Sequence, residues 1–262
     1  MKQTTFFQFL IGLSALLLLS TCQKDEEITT NLPQGFPAGC LLEKLSTDVY
    51  EIEYEFDDDG SWLRLTLSFL GNVNVNTCQR DAQGRIVRVN RLTSSGELFG
   101  YYEYEYEGSN GIPSRRNDYD IKDGSGVLDD YRVYESEGNK ILSIRSFSAN
   151  GELSATTTYA YDDEASQYTL RRYDEDGALD RKEVYTYNPE RINPYYSISD
   201  FSSYDDTYAI EKKEGFDASG AIDISDSYSV NYDIDENGRI INLQYISLNG
   251  DTSNESLIYD CD

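Results

Sequence analysis

One short unit recurs from Tyr50 to Asp262: an aromatic–any–aromatic step, an acidic residue, a glycine a few positions on, then Ile or Leu. It constrains the fold more than any other feature, because each part has a structural use. Tyr54-Glu55-Phe56-Asp57 leads to Gly60 and Trp62, and Asp81-Ala82-Gln83-Gly84-Arg85-Ile86 repeats the step. Tyr173-Asp174 to Leu179, Phe216-Asp217 to Ile222 and Tyr232-Asp233 to Ile240 are further copies. Two copies, at Tyr159-Ala160-Tyr161-Asp162 and Tyr185-Thr186-Tyr187-Asn188, lack the glycine. Secondary turns such as Ser94-Ser95-Gly96, Ala149-Asn150-Gly151 and Leu248-Asn249-Gly250 fall between them.

Alternation places every second residue on one face of a strand. In Tyr102-Glu103-Tyr104-Glu105-Tyr106 three phenol rings share one face and two carboxylates the other. The acidic residue caps a turn, and the glycine supplies the positive φ that a tight hairpin needs. Turn signals every 12 or 13 residues, as from Gly84 to Gly96 and Gly138 to Gly151, predict an all-β antiparallel meander of repeated hairpins. About 14–18 short strands are expected, forming a long twisted or rolled sheet. The single tryptophan, Trp62, follows a turn glycine and is expected to plug the core beside the first hairpin. The spacing breaks between Asn193 and Tyr208, where an inserted functional loop or a degenerate repeat is expected.

Composition narrows the chemistry. The 262 residues contain no histidine, which excludes Ser-His-Asp and Cys-His catalysis and His-ligated zinc. Lys+Arg 22 against Asp+Glu 48 gives a net charge of −26, which argues against a nucleic-acid partner. No nucleotide-binding loop is present. Paired carboxylates could hydrolyse glycosides without histidine, but 48 acidic residues make chance pairs inevitable and single out none. Most of these charges are expected on a solvated sheet face, where they protect sheet edges. No catalytic residue is assigned and no enzyme activity is expected; a carboxylate-dependent extracellular glycan-processing enzyme is the rival reading.

Candidate binding residues are aromatic. Tyrosine rings stack on sugars and grip protein ligands, and Tyr102, Tyr104, Tyr106, Tyr159, Tyr161, Tyr185 and Tyr187 are the candidates, with Tyr195 and Tyr196 beside them. The same rings are what a cross-strand core needs. Asp233, Asp235 and Asn237 with Gly238 match the first half of a calcium loop, but Gln244 stands where a bidentate Glu belongs. No metal or cofactor is assigned, weak calcium binding being the one candidate. Of Cys40, Cys78 and Cys261, spacing leaves Cys40–Cys78 and Cys40–Cys261 both open; Cys40 and Cys78, nearer in sequence, form the candidate disulfide.

The first residues read as an address. Lys2 precedes an apolar run from Phe6 to Leu19, short for a membrane span. The run ends at Leu19-Ser20-Thr21-Cys22, which resembles a bacterial lipobox, with Thr21 where a smaller residue is usual. Lys24, Asp25, Glu26 and Glu27 follow, and they resemble the surface-export signal of Bacteroidota lipoproteins. The resemblance implies a signal peptide over residues 1–21, a lipidated tether over residues 22–39 and a β domain over residues 40–262. It also implies anchorage of acylated Cys22 in the outer-membrane leaflet, with the domain at the cell surface.

The body of the chain, from Tyr50 to Asp262, resembles the YD-repeat, or RHS-like, family, named for its Tyr-Asp pair. That resemblance implies the strand–turn unit and no catalytic residue; full-length members wind many more repeats into a shell around a toxin. The function expected is a non-catalytic binding or scaffold module for a glycan or protein ligand. An accessory or immunity partner of an RHS-type toxin is a third reading.

Overall fold

The computed structural model describes residues 40–58, 60–194 and 207–261. The signal, lipidation and export residues, together with Tyr195 and Tyr196, lie outside them. Sixteen antiparallel strands run in chain order. β1 (Cys40–Ser46), β2 (Tyr50–Phe56), β3 (Trp62–Phe69) and β4 (Asn72–Arg80) open the series. β5 (Ile86–Thr93), β6 (Leu98–Glu105), β7 (Arg115–Lys122) and β8 (Ser125–Glu137) follow. Then come β9 (Lys140–Ser148), β10 (Leu153–Asp162), β11 (Gln167–Tyr173) and β12 (Leu179–Ile192). β13 (Tyr208–Asp217), β14 (Ile222–Ile234), β15 (Ile240–Ser247) and β16 (Thr252–Cys261) end it. Each strand pairs with the next, and β16 returns to pair with β1, so the meander closes into a barrel rather than remaining an open twisted sheet.

The alternation survives closure and acquires a direction. Tyr50, Ile52, Tyr54 and Phe56 share the face that packs against Leu42, Leu45, Val230 and Leu243. Glu51, Glu53 and Glu55 take the other face, opposite Ser68, Thr66 and Arg64 of β3. In a closed barrel only the inner face can bury side chains on both sides of the lumen. The aromatic stripe is therefore internal and the carboxylate stripe external. Closure removes the sheet edges altogether. The expectation that the acidic face guards edges is thus replaced: these charges, with Arg64, Glu103, Arg115, Lys182 and Lys212, form the outer wall.

The turns explain how so many hairpins keep register. Asp81 accepts bonds through Oδ1 from the backbone N–H of Gln83 (2.9 Å) and Arg85 (3.0 Å). Asp174, Asp217 and Asp235 use the same pattern two and four residues on. In each turn the glycine N–H donates to the carbonyl of the aspartate three residues back. Gly84 sits at φ 80° and Gly238 at φ 84°, a region costly for any residue with a Cβ. Thr93, Ser148 and Ser247 take the aspartate's place in the secondary turns, with the same backbone closure. Between strands a second device recurs. The hydroxyl of Tyr106 donates to the carbonyl of Ile86 (2.8 Å), Tyr161 to Ile141 (2.9 Å) and Tyr259 to Ile240 (2.8 Å). Each ring thus ties its strand to the isoleucine that opens the neighbouring hairpin.

The seam is pinned covalently. Cys40 is bonded to Cys261 and pairs with it in register. The candidate Cys40–Cys78 bond is therefore corrected. Cys78 is not disulfide-bonded, and its Sγ–H donates to the Trp62 carbonyl (2.8 Å). Sequence proximity favoured the wrong partner because barrel closure brings the two ends of the domain side by side. This end, with the turns at Gly60, Gly84 and Gly238, is the disulfide rim; the end with the turns at Gly96, Gly151, Gly177, Gly220 and Gly250 is the distal rim.

The interior is not uniform along its axis. Towards the disulfide rim Leu42 and Ile86 are 0% exposed, and Trp62, as expected, is buried in a cluster with Val89 and Tyr104. Leu257, Ile240, Leu243 and Val230 continue this apolar half on the seam side. Towards the distal rim the inward positions turn polar: Asn72, Asn74, Arg91, Asp120, Arg181, Glu183, Asp226 and Glu255.

Candidate functional site

The polar half contains two cavities on opposite walls. The larger, about 740 Å³, is lined by Tyr50 of β2, Tyr228 of β14, Tyr245 of β15 and Glu255 of β16, with Ser225, Ser247 and Ser253 at its edge. Tyr50 and Tyr245 both donate their hydroxyls to the Glu255 carboxylate, at 2.6 and 3.1 Å. Tyr228 and Tyr245 meet edge to face, with centroids 5.4 Å apart. The same two rings roof a 160 Å³ pocket walled by Val230, Leu243 and Ala209, so the apolar half forms the floor. Burial, then the neighbouring Asp226 and Glu183 carboxylates, push the Tyr228 hydroxyl up to about 12. Burial and the Glu255 bond push Tyr50 well above its ordinary value. Both rings are therefore neutral donors at any physiological pH. Rings with fixed hydroxyls beside a carboxylate are what a sugar needs: stacking faces, donors and an acceptor.

The smaller cavity, about 520 Å³, lies between β8 and β12. It is lined by Arg132, Arg172, Arg181, Asp130, Thr157 and Tyr159, among others. A buried charge network stands between the two walls. Glu183, 3% exposed, accepts from Tyr185 Oη at 2.7 Å and lies 3.3 Å from both Lys213 and Arg181. Lys213 also contacts Asp226 at 2.6 Å. Burying such charges is tolerable because each is paired and hydrogen-bonded. Gly100 serves this half by its lack of a side chain. A Cβ there would stand 2.7 Å from the Tyr119 carbonyl and 2.2 Å from the Arg91 guanidinium, so Arg91 can lie across it to reach Tyr119 and Asp120 (both 3.1 Å).

The candidate tyrosines among the described residues face inward, but only Tyr159 lines either of these cavities. Tyr104 and Tyr187 are buried, Tyr187 stacking on Tyr208 at 5.1 Å. Tyr106 and Tyr161 stitch strands. Tyr102 lies beneath the Arg91 and Arg116 guanidinium groups, at 4.9 and 4.6 Å. Tyr185 is held by Glu183. Tyr159 apart, they are the cross-strand core rather than a surface platform. Sequence reading missed Tyr50, Tyr228, Tyr245 and Glu255, whose convergence joins residues as far as 205 positions apart. No local pattern could have signalled it.

The calcium-like turn resolves into a structural turn. Asp235 accepts from Asn237 N, Arg239 N and the Arg239 guanidinium, which hold its carboxyl below the ordinary range. Asp233 receives a bond from Asn242. Among the described residues no group of three His, Cys, Asp or Glu side chains is arranged to hold a metal ion. The inward carboxyls of Asp118 and Asp130 face each other across β7 and β8. Arg116 grips Asp118 at 2.7 Å through two nitrogens, and burial together with the Asp118 carboxylate raises Asp130.

No family model matches the chain, and no curated protein is similar to it in sequence. Among solved structures it is similar to a porin-like protein from Bacteroides uniformis. That pair shares 10% identity over 87% of this chain and 100% of the other, at a TM-score of 0.54. Weaker likenesses include a protein of unknown function from Bacteroides fragilis (12% identity, 55% of this chain, 91% of that one, TM-score 0.26). Another is to the TcdB2-TccC3 structure (11% identity, 81% of this chain, 15% of that one, TM-score 0.23). The first likeness supports the closed barrel; the other two carry no argument. A closed sixteen-strand barrel is compatible with an outer-membrane location.

Proposed function

We propose that this protein is a lipid-anchored, non-catalytic binding module of the bacterial cell surface, built from YD-repeat-like hairpins, and that its ligand is a glycan held in the distal half of the barrel. The observation that carries the reading is the larger cavity, where Tyr50, Tyr228 and Tyr245 converge on Glu255 above an apolar floor. The pairing of stacking rings with fixed donors suits sugar recognition better than hydrolysis.

Anchorage through acylated Cys22, not a membrane-spanning wall, completes the reading. The outer face carries Glu53, Glu55, Arg64, Glu103 and Arg115 along β2, β3, β6 and β7. A Lys or Arg on the lipid face of a barrel costs about 2–4 kcal/mol at mid-membrane, so such a wall favours water. Cys40 begins β1 at the disulfide rim, so a tether over residues 22–39 would join there and leave the distal rim facing outwards. Two experiments test this. Palmitate labelling is expected for the wild type and not for Cys22→Ala. Glycan-array binding is expected to be abolished by Tyr228→Ala and by Ser253→Trp, which fills the cavity mouth without removing core contacts. Array binding unchanged in both variants would overturn the proposal.

A further inference from the structure

We infer that the smaller cavity, between β8 and β12, is a subsite for an anionic substituent of the ligand, a carboxylate or sulfate borne on a sugar, held by Arg132, Arg172 and Arg181. This inference rests on the binding-module reading and adds the ligand's charge class to it. The chain has only 22 cationic residues against 48 acidic ones, yet three of the 22 line this single cavity. Their placement opposes the rule for paired strands. Arg172 and Arg181 are direct cross-strand partners on the inner face, and Arg132 is the partner of Arg116. Like charges directly opposite one another destabilise a sheet, so the arrangement calls for a counter-charge.

The neighbouring carboxylates supply it only in part, although Asp129 and Asp130 also line the cavity. Arg172 reaches Asp180 only at 3.7 Å. Arg181 reaches Glu183 at 3.3 Å, but Glu183 is already shared with Lys213 and Tyr185. Asp118 is taken by Arg116, and no carboxylate of the described residues forms an ion pair with Arg132 within 4.0 Å. Asp130, the acid beside Arg132 in the cavity lining, is raised by burial and by Asp118, while Arg132 and Arg116 act on it in the opposite sense. The side chains of Arg172 and Arg181 are each 47% exposed, so their guanidinium groups can turn towards a ligand. Planar forks of this kind grip carboxylate and sulfate oxygens in pairs. Thr157 and Tyr159 line the same space and offer a hydroxyl and a ring face to the sugar that bears the anion.

The test uses the full chain and two simple probes, citrate for the carboxylate and inorganic sulfate for the sulfate, against sodium chloride at matched ionic strength. The unfolding temperature of the wild type is expected to rise saturably with one of the two, and that probe identifies the anion class. Arg172→Ala with Arg181→Ala is expected to lose this rise and, in anion-free buffer, to unfold at the same or a higher temperature, because a repulsive pair is gone. Arg64→Ala, on the outer wall, is the control and is expected to keep the rise. Equal anion responses in wild type and double variant would overturn the inference, as would a lower unfolding temperature of the double variant without anion. An oligogalacturonate and its neutral counterpart then separate the two readings. Neutral glycan binding without anion preference sinks the subsite alone. A saturable, arginine-dependent anion response with no glycan bound sinks the glycan reading alone.

Discussion

The two ends of the barrel are built from the same repeat and are used differently. At the disulfide rim the inward positions are Leu42, Trp62, Ile86 and Leu257, all nearly or fully buried. At the distal rim the inward positions of the same strands or their neighbours are Tyr50, Asn74, Arg91 and Glu255. One end spends its inner face on a dry core; the other leaves it lined with rings, hydroxyls and paired charges. The apolar end lets the polar end exist, because stability drawn from one half permits cavities in the other.

The comparison can be broken most forcefully at the seam. Replacing Cys40 and Cys261 by serine opens a loop spanning a sequence separation of 221. Chain-entropy reasoning puts the loss at up to about 5 kcal/mol, readable as a lowered urea midpoint. Next, Leu42→Ala and Trp62→Ala are expected to cost about 2–5 kcal/mol each, since both are buried. Ser253→Ala at the distal rim is expected to stay within about 0.5 kcal/mol. Equal losses at both ends would mean that the distal half is a second core and not a site.

A smaller effect belongs to the turns. Gly84→Ala is expected to cost about 1–2 kcal/mol through its positive φ alone, because a Cβ there meets no atom within 4 Å. Differential scanning calorimetry of Gly84→Ala beside Gly111→Ala, a glycine outside the positive-φ set whose Cβ would also meet nothing, isolates the backbone contribution.

The pH profile sharpens the comparison from two sides. Asp81, Asp217 and Asp235 are held below the ordinary carboxylate value of 3.8 by turn hydrogen bonds. The stability they contribute is present above that value and is lost as pH falls through their lower folded values. Tyrosines behave in the opposite sense. Tyr54, Tyr185, Tyr228, Tyr232 and Tyr259 are pushed up by burial. Their contribution is complete below 10 and is lost as pH rises towards the folded values. Absorbance at the phenolate band is expected to show these rings ionising only together with unfolding. A set of five that titrates smoothly near pH 10 in folded protein would show the inner face to be wet.

Much of the architecture was legible in the residues. Tyr102-Glu103-Tyr104-Glu105-Tyr106 announces a strand with an aromatic and an acidic face. Asp81 and Gly84 announce a turn with its side-chain brace and its positive φ. These features are local, and local sterics decide them. The binding residues were not legible. Tyr104 and Tyr187 read the same as Tyr228 and Tyr245, because an alternating tyrosine is equally suited to a core and to a cavity wall. Depth along the barrel axis separates them, and depth is not written in a period-2 pattern.

By itself the sequence determined the hairpins, their turns, the strand count within a narrow range and, on strands such as β2 and β6, the segregation of rings from carboxylates, since each follows from contacts between residues a few positions apart. Only the tertiary structure decided that the sheet closes, that Cys40 meets Cys261 and not Cys78, and that Tyr50 meets Glu255. Those outcomes depend on the accumulated twist and register of sixteen strands, a sum over the whole chain that no single repeat contains.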